Sequence, residues 1–287
     1  MNMIRIGIIG GSGLYDIEGL RNRKPQKVST PFGEPSGEFT LGELEGKEVV
    51  FLPRHGQGHK MLPGEINYRA NIFAMKKLGV GRIISIGAVG SLREELKPLD
   101  MVIPGQFADR TNQARKTTFF GDGIAAHISF ADPVCPELCE VLHEAGKKAG
   151  AVMHKGGTYL NMEGPAFSTR AESILYKKWG MDVIGMTNMA EARLAREAEI
   201  CFSTLAMVTD YDCWHASEDV SVDIIIQNLI KNTGMAKRIV KEVVRNIPEK
   251  RNCACGFSLK NAIITAKDAI SVSTRKKLDI IVGKYLE

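Results

Sequence analysis

Short apolar runs that end at Gly, Pro or Asp and alternate with helical patterns constrain this chain most. Ile4–Ile9, Val49–Leu52, Ile83–Ile86, Met101–Ile103, Val183–Met186 and Phe202–Val208 read as strand candidates. Between them, Ile66–Leu78 and Glu137–Lys148 place apolar residues at helical spacing. Thr169 with Glu172, and Asn188 with Glu191, read as capping boxes opening helices that run to Trp179 and Glu199. From Val222 an apolar stripe runs to Val244 with a weak point at Gly234, and the last 30 or so residues also read as helical. Strands alternating with helices predict an α/β fold, a layered sheet with helices packed on it and a helical C-terminal segment. At 287 residues, with no compositional seam, the expectation is one domain over 1–287, with 251–287 a C-terminal helical tail.

Composition narrows the function classes. A chain that is 44% hydrophobic and 25% charged builds an ordinary core. Its net charge of +5 is spread in mixed-sign stretches, without the basic runs and interleaved aromatics of a nucleic-acid groove. The first apolar run is too short for a membrane span or secretory signal, so no membrane association and a cytoplasmic location are expected. Six cysteines are too few for a disulfide scaffold, and no pair of CxxC motifs offers four zinc ligands. Cys253-Ala-Cys255 is either a labile, oxidisable pair or two ordinary thiols.

Four strand ends carry groups suited to anions. Gly10-Gly11-Ser12-Gly13 is an anion cradle or a plain turn; it lacks the third glycine of a dinucleotide fingerprint, since Asp16 stands there, and Leu14 rules out a nucleophile elbow. Pro53-Arg54-His55-Gly56 puts a permanent cation and an imidazole at a strand end. Gly87-Ala88-Val89-Gly90-Ser91 lets a ligand approach the backbone closely. Met186-Thr187-Asn188 adds a hydroxyl and the free N–H groups of a helix N-terminus. After the last strand, Thr209-Asp210-Tyr211-Asp212-Cys213-Trp214 sets two carboxylates at alternate positions, which face the same way in an extended segment. They suit a general acid with an acceptor, a metal, or a solvated acidic turn. His127 suits a core or interface, and Phe167 a core position or a platform for a base.

Gly-Gly-Ser-Gly-Leu, Arg54-His55-Gly56, Glu163-Gly164-Pro165 to Ser168, Met186-Thr187 and Thr209 to Trp214, in this order and spacing, resemble the purine nucleoside phosphorylase family from about Ile4 to Val244. The segment Thr209–Trp214 is similar to that of the family's 6-aminopurine branch, with 5′-methylthioadenosine the expected nucleoside. The resemblance implies a phosphorylase/hydrolase-like fold with a mixed twisted sheet. It implies that Ser12, Arg54, His55 and Thr187 hold phosphate, with Gly87 and Ala88 contributing backbone. Met186 would lie under the ribose and Phe167 against the purine. Asp210 and Asp212, the catalytic pair, would address N7 and the exocyclic amine. Ser168 and Val222 correspond to specificity positions, and His127 would reach the 5′ substituent across a subunit boundary in a trimer or dimer of trimers. Gly87 stands where many relatives carry Thr or Ser. No metal or cofactor is implied, and inorganic phosphate is the co-substrate. A 6-oxopurine phosphorylase and a non-catalytic nucleoside-binding oligomer are the rival readings.

Overall fold

β5 (Val80–Ser91) is the spine of an eleven-stranded mixed sheet. The computed structural model describes residues 4–11, 13–14, 16–112, 115–215 and 222–286. Along one edge, β5 pairs in parallel with β11 (Cys201–Asp210) from Arg82 to Gly90. Its other edge is divided. β1 (Arg5–Gly10) pairs with it in parallel as far as Ser85, and β10 (Val183–Gly185) pairs antiparallel with Gly90 and Ser91. Residues 86–89 lie between these two partners and open onto a cavity.

Beyond β1 the sheet continues through β4 (Lys47–Pro53), β3 (Phe39–Leu44) and β2 (Arg21–Gln26); beyond β10 it continues through β9 (Thr158–Met162) and β7 (Gln106–Arg110). β6 (Met101–Ile103) pairs with β11, and β8 (Met153–Lys155) with β6. All ten residues of β11 are buried, as expected of a strand covered on both faces. Helices α1 (Tyr68–Lys77) and α4 (Asn188–Glu197) pack together and reach β5 and β11, respectively. Helices α2 (Pro136–Lys148) and α5 (Val222–Asn246) pack on each other and on β11. No helix among the described residues is long and apolar enough to cross a membrane.

The mixed α/β fold, the six expected strands and the expected helices are present, with several corrections. α5 runs unbroken through Gly234, because buried Ala236, Ile239, Val240, Val243 and Val244 anchor one face of it and tertiary packing outweighs one glycine. The capping box at Thr169 opens α3 (Arg170–Lys178), with both reciprocal bonds formed. The second box is absent: α4 is capped at Thr187 with no side-chain bond, and Asn188 and Glu191 are buried in the polar interior. The tail is α-helical only in α6 (Val272–Leu286), with single 3₁₀ turns at Ala254–Phe257 and Lys267–Ala269; Ser271 begins α6 by accepting from the Thr274 N–H at 3.1 Å. Upstream, the chain instead extends to pair with residues 125–127: the Ile264 N–H donates to the Ala125 carbonyl and the His127 N–H to that of Ala262. Helical backbone bonds there would forfeit both.

Candidate active site

The cavity beneath the divided edge of β5 has a volume of about 550 Å³, within the range of small-molecule sites. Arg54, His55, Gly87, Ala88, Phe167, Ser168, Met186, Thr187, Asp210 and Asp212 all line it. Ser12 and the side chain of Val222 lie outside the described residues. His127 is exposed and is not part of the lining.

Arg54 follows β4, is 3% exposed, and is held on all sides. Nη1 donates to the Ile86 carbonyl at 2.8 Å and Nη2 to Ser85 Oγ at 2.6 Å, while Nε and Nη2 form a two-point pair with Glu191. Ser85 Oγ donates to Glu191 Oε2 at 2.6 Å and accepts from Asn188 Nδ2 at 3.1 Å; Asn188 in turn bonds Thr204. This buried network fixes the guanidinium plane and neutralises its charge from behind, as a buried cation requires. Of its five N–H donors, one on Nη1 is unclaimed among the described residues.

His55 has its Nδ1 2.8 Å from the Met61 carbonyl, so Nδ1 carries the hydrogen and Nε2 is left as an acceptor. Burial, with the neighbouring Arg54 charge behind it, pushes the imidazole down to about 4, and the ring is neutral at physiological pH. Thr187 caps α4, so its hydroxyl lies beside the N-terminus of that helix, where the Met189 N–H already donates to Asn161 Oδ1 at 2.9 Å.

At the opposite end, the register of β11 on β5 slips by one between Val208, which opposes Val89, and Asp210, which opposes Gly90. Thr209 is the extra residue of this bulge, and bulges re-aim the side chain that follows. The two aspartates are therefore not on one extended segment. Asp210 ends β11, whereas Asp212 has a left-handed φ of 52° and opens a 3₁₀ turn. The turn folds back so that the Asp212 N–H donates to Asp210 Oδ1 at 2.8 Å, and the Thr209 hydroxyl lies 2.7 Å from Asp210 Oδ2. Ser173 of α3 donates to Asp212 Oδ2 at 2.6 Å, and burial holds the Asp212 carboxyl above its ordinary value. Asn228 and Asn232 of α5 donate to the Thr209 and Val208 carbonyls, each at 2.8 Å, and lock the strand end.

Sequence reasoning missed two supports. Glu191, read as a cap, is the counter-ion of Arg54; a buried permanent cation calls for such a partner, but only the fold says which carboxylate meets it. Arg115 was not singled out. Its guanidinium bonds the Met186 and Glu163 carbonyls and Glu163 Oε1, pinning the Glu163–Pro165 turn against the strand end at Met186. Phe167 beyond that turn is 58% exposed, not core.

One cavity thus joins an anion-suited end, behind Arg54, to a paired-carboxylate end at Asp210. The chain belongs to the phosphorylase superfamily, which it matches over residues 5–245. A Geobacter sulfurreducens protein named S-methyl-5′-thioadenosine phosphorylase is 60% identical, covering 98% of this chain and 99% of its own. A Koribacter versatilis protein of the same name is 58% identical over 98% and 96%. A crystal structure of a methylthioadenosine phosphorylase from an Antarctic soil metagenomic library superposes with a TM-score of 0.93 at 51% identity, covering 98% of this chain and 99% of that one. The Schistosoma mansoni methylthioadenosine phosphorylase in complex with adenine gives 0.82 at 36% identity, covering 86% and 93%.

Proposed function

We propose that the chain cleaves the N-glycosidic bond of 5′-methylthioadenosine with inorganic phosphate, releasing adenine and 5-methylthioribose 1-phosphate. The observation that carries this reading is the single cavity shared by Arg54, His55 and Thr187 at one end and Asp210 and Asp212 at the other. Phosphate and nucleoside are the only co-substrates, and no further cofactor takes part.

Phosphate sits between the remaining Arg54 N–H, the Thr187 hydroxyl and the backbone at Gly87 and Ala88, with Ser12 completing the cradle. His55, neutral and presenting Nε2, accepts the hydrogen of a protonated phosphate oxygen. Met186 lies under the ribose and Phe167 covers the purine. As the bond to N9 breaks, the sugar becomes cationic and the phosphate charge stabilises it.

The purine leaves well only if N7 is protonated, and Asp210 supplies that proton. The Thr209 hydroxyl donates to Asp210 Oδ2 at 2.7 Å and the Asp212 N–H to Oδ1 at 2.8 Å, which fixes the orientation of the carboxyl. Asp212 accepts from the 6-amino group and would confront the lone pairs of a 6-oxo group, which disfavours the 6-oxopurine reading. Ser168 and Val222 are the positions that the family resemblance links to substrate preference.

The remaining parts of the proposal concern assembly. The whole chain 1–287 acts as one domain, since one core cluster contains residues from Ile6 to Val282. It works as a cytoplasmic trimer or dimer of trimers, with the exposed His127 reaching a neighbouring subunit's 5′ pocket. Exposed Phe167, Ile174, Leu175 and Trp179 supply apolar surface for such contacts.

The test is base release from methylthioadenosine, adenosine and inosine with and without phosphate, repeated on Asp210→Asn. We expect phosphate-dependent adenine release, little turnover of inosine, and loss of activity by about 100-fold or more in the variant, the range for a general acid. Phosphate-independent release, or near-normal turnover by Asp210→Asn, defeats the reading.

A further inference from the structure

Four of the six cysteines meet at one point remote from the nucleoside cavity. The sulfurs of Cys135, Cys201, Cys253 and Cys255 all lie within 4.8 Å of one another. Three separate parts of the fold deliver them: Cys135 is the N-cap of α2, Cys201 begins β11, and Cys253 and Cys255 flank the start of a short turn at Ala254–Phe257. Cys135, Cys201 and Cys255 are buried and Cys253 is half-buried. No sequence spacing announces this group, because only Cys253-Ala-Cys255 is local.

Thiols behaving as small apolar groups have no reason to converge, since S–H is a weak donor and sulfur a weak acceptor. Two chemistries do gather sulfurs. Disulfides join them in pairs at about 2.05 Å. A four-coordinate thiophilic cation holds each sulfur at about 2.3 Å, which sets the sulfur–sulfur edges of the tetrahedron at roughly 3.8 Å. Here Cys201 and Cys253 approach to 3.3 Å and the whole set spans no more than 4.8 Å, a range that brackets the tetrahedral edge.

We propose that Cys135, Cys201, Cys253 and Cys255 form a structural site for one thiophilic divalent cation of the zinc class. Cys135 stands at the N-terminus of the 13-residue α2. Cys253 also lines a second cavity of about 510 Å³, whose walls carry Lys47, Arg82, Lys250 and Arg251 beside Glu48 and Glu249. Capture replaces S–H bonds with metal–sulfur bonds and releases the thiol protons to solvent, with no change of oxidation state. The site would clip the 251–257 segment, which has only a one-turn helix of its own, onto α2 and β11.

The experiment measures metal content and free thiols on the full chain purified under reducing conditions with zinc present. We expect about one zinc per chain, with the four thiols shielded until a mercurial releases the metal. Cys135→Ser and Cys253→Ser should each lose most of the zinc while retaining nucleoside turnover, since neither residue lines the active-site cavity. A metal-free chain with six reactive thiols in denaturant overturns the proposal. So does a metal-free chain with fewer, which would mean disulfides, and so does zinc retained in both variants. If the variants do not fold, X-ray absorption at the zinc edge of the unaltered protein decides. A four-sulfur shell supports the site, and a nitrogen or oxygen shell overturns it.

Discussion

Glu191 illustrates how a site residue can act without touching a substrate. Its carboxylate meets Arg54 at 2% side-chain exposure, so removing its charge leaves a buried guanidinium without a counter-ion. We expect Glu191→Gln to destabilise the fold by about 3–5 kcal/mol in urea unfolding; a loss below about 1 kcal/mol would mean that solvent reaches the pair. Gly87 offers the opposite opportunity. A Cβ built there meets only Arg54 Nη1, at 3.6 Å, an ordinary contact. Gly87→Ser should therefore fit and add a hydroxyl donor at the anion end. The expected result is a phosphate KM lowered roughly 3- to 10-fold, as for one ordinary hydrogen bond. An unchanged phosphate KM at saturating nucleoside would show that the added hydroxyl does not reach the anion.

At the scale of elements, legibility followed burial. β1, β4 and β11 were readable because their apolar runs fill the core. β2 (RNRKPQ) was not, because five of its six residues are exposed and only backbone pairing with β3 makes it a strand. The site residues that end strands were legible from their positions, and most of them line one cavity. The relation between Asp210 and Asp212 was not, because a bulge and a left-handed residue depend on register with β5, which a sequence does not display. Tight approach between β9 and β10 was equally hidden. A Cβ on Gly185 would stand 1.9 Å from the buried Tyr159 hydroxyl and 2.6 Å from Cζ. Gly185→Ala should cost about 1–3 kcal/mol by overpacking, and adding Tyr159→Phe should recover only part of it, since Cζ remains in the way. Full recovery in the double-mutant cycle would assign the crowding to the hydroxyl alone.

Across the whole molecule, half-buried His55 and buried Glu197 pull the pH dependence of stability in opposite directions. Burial and then the Arg54 charge lower His55 from 6.5 to about 4. Between those values the unfolded chain binds more protons at this residue, so its contribution to stability rises with pH. Burial raises Glu197 from 4.5 to about 7, despite the bonds it accepts from Thr118 and Phe119. There the folded chain binds more protons, and the contribution falls with pH. The two effects oppose each other from about 4.5 to 6.5. Glu197→Gln should make denaturation midpoints climb with pH through that window, and His55→Gln should make them decline; parallel profiles for both variants would contradict the assignment. The divided edge of β5 has a mechanical counterpart on this scale. Strands β2, β3, β4 and β1 form one wing, carrying Arg54 and His55, and β10, β9 and β7 form the other, carrying Met186 and Phe167 at its rim. Among the described residues β5 alone bridges the wings through strand pairing, with β11 along its far edge. The phosphate position proposed above, between Arg54 on one wing and Thr187 at the end of the other, spans the stretch that the ladder leaves open between Ser85 and Gly90, so on that proposal the reactant itself stitches the sheet shut across its gap.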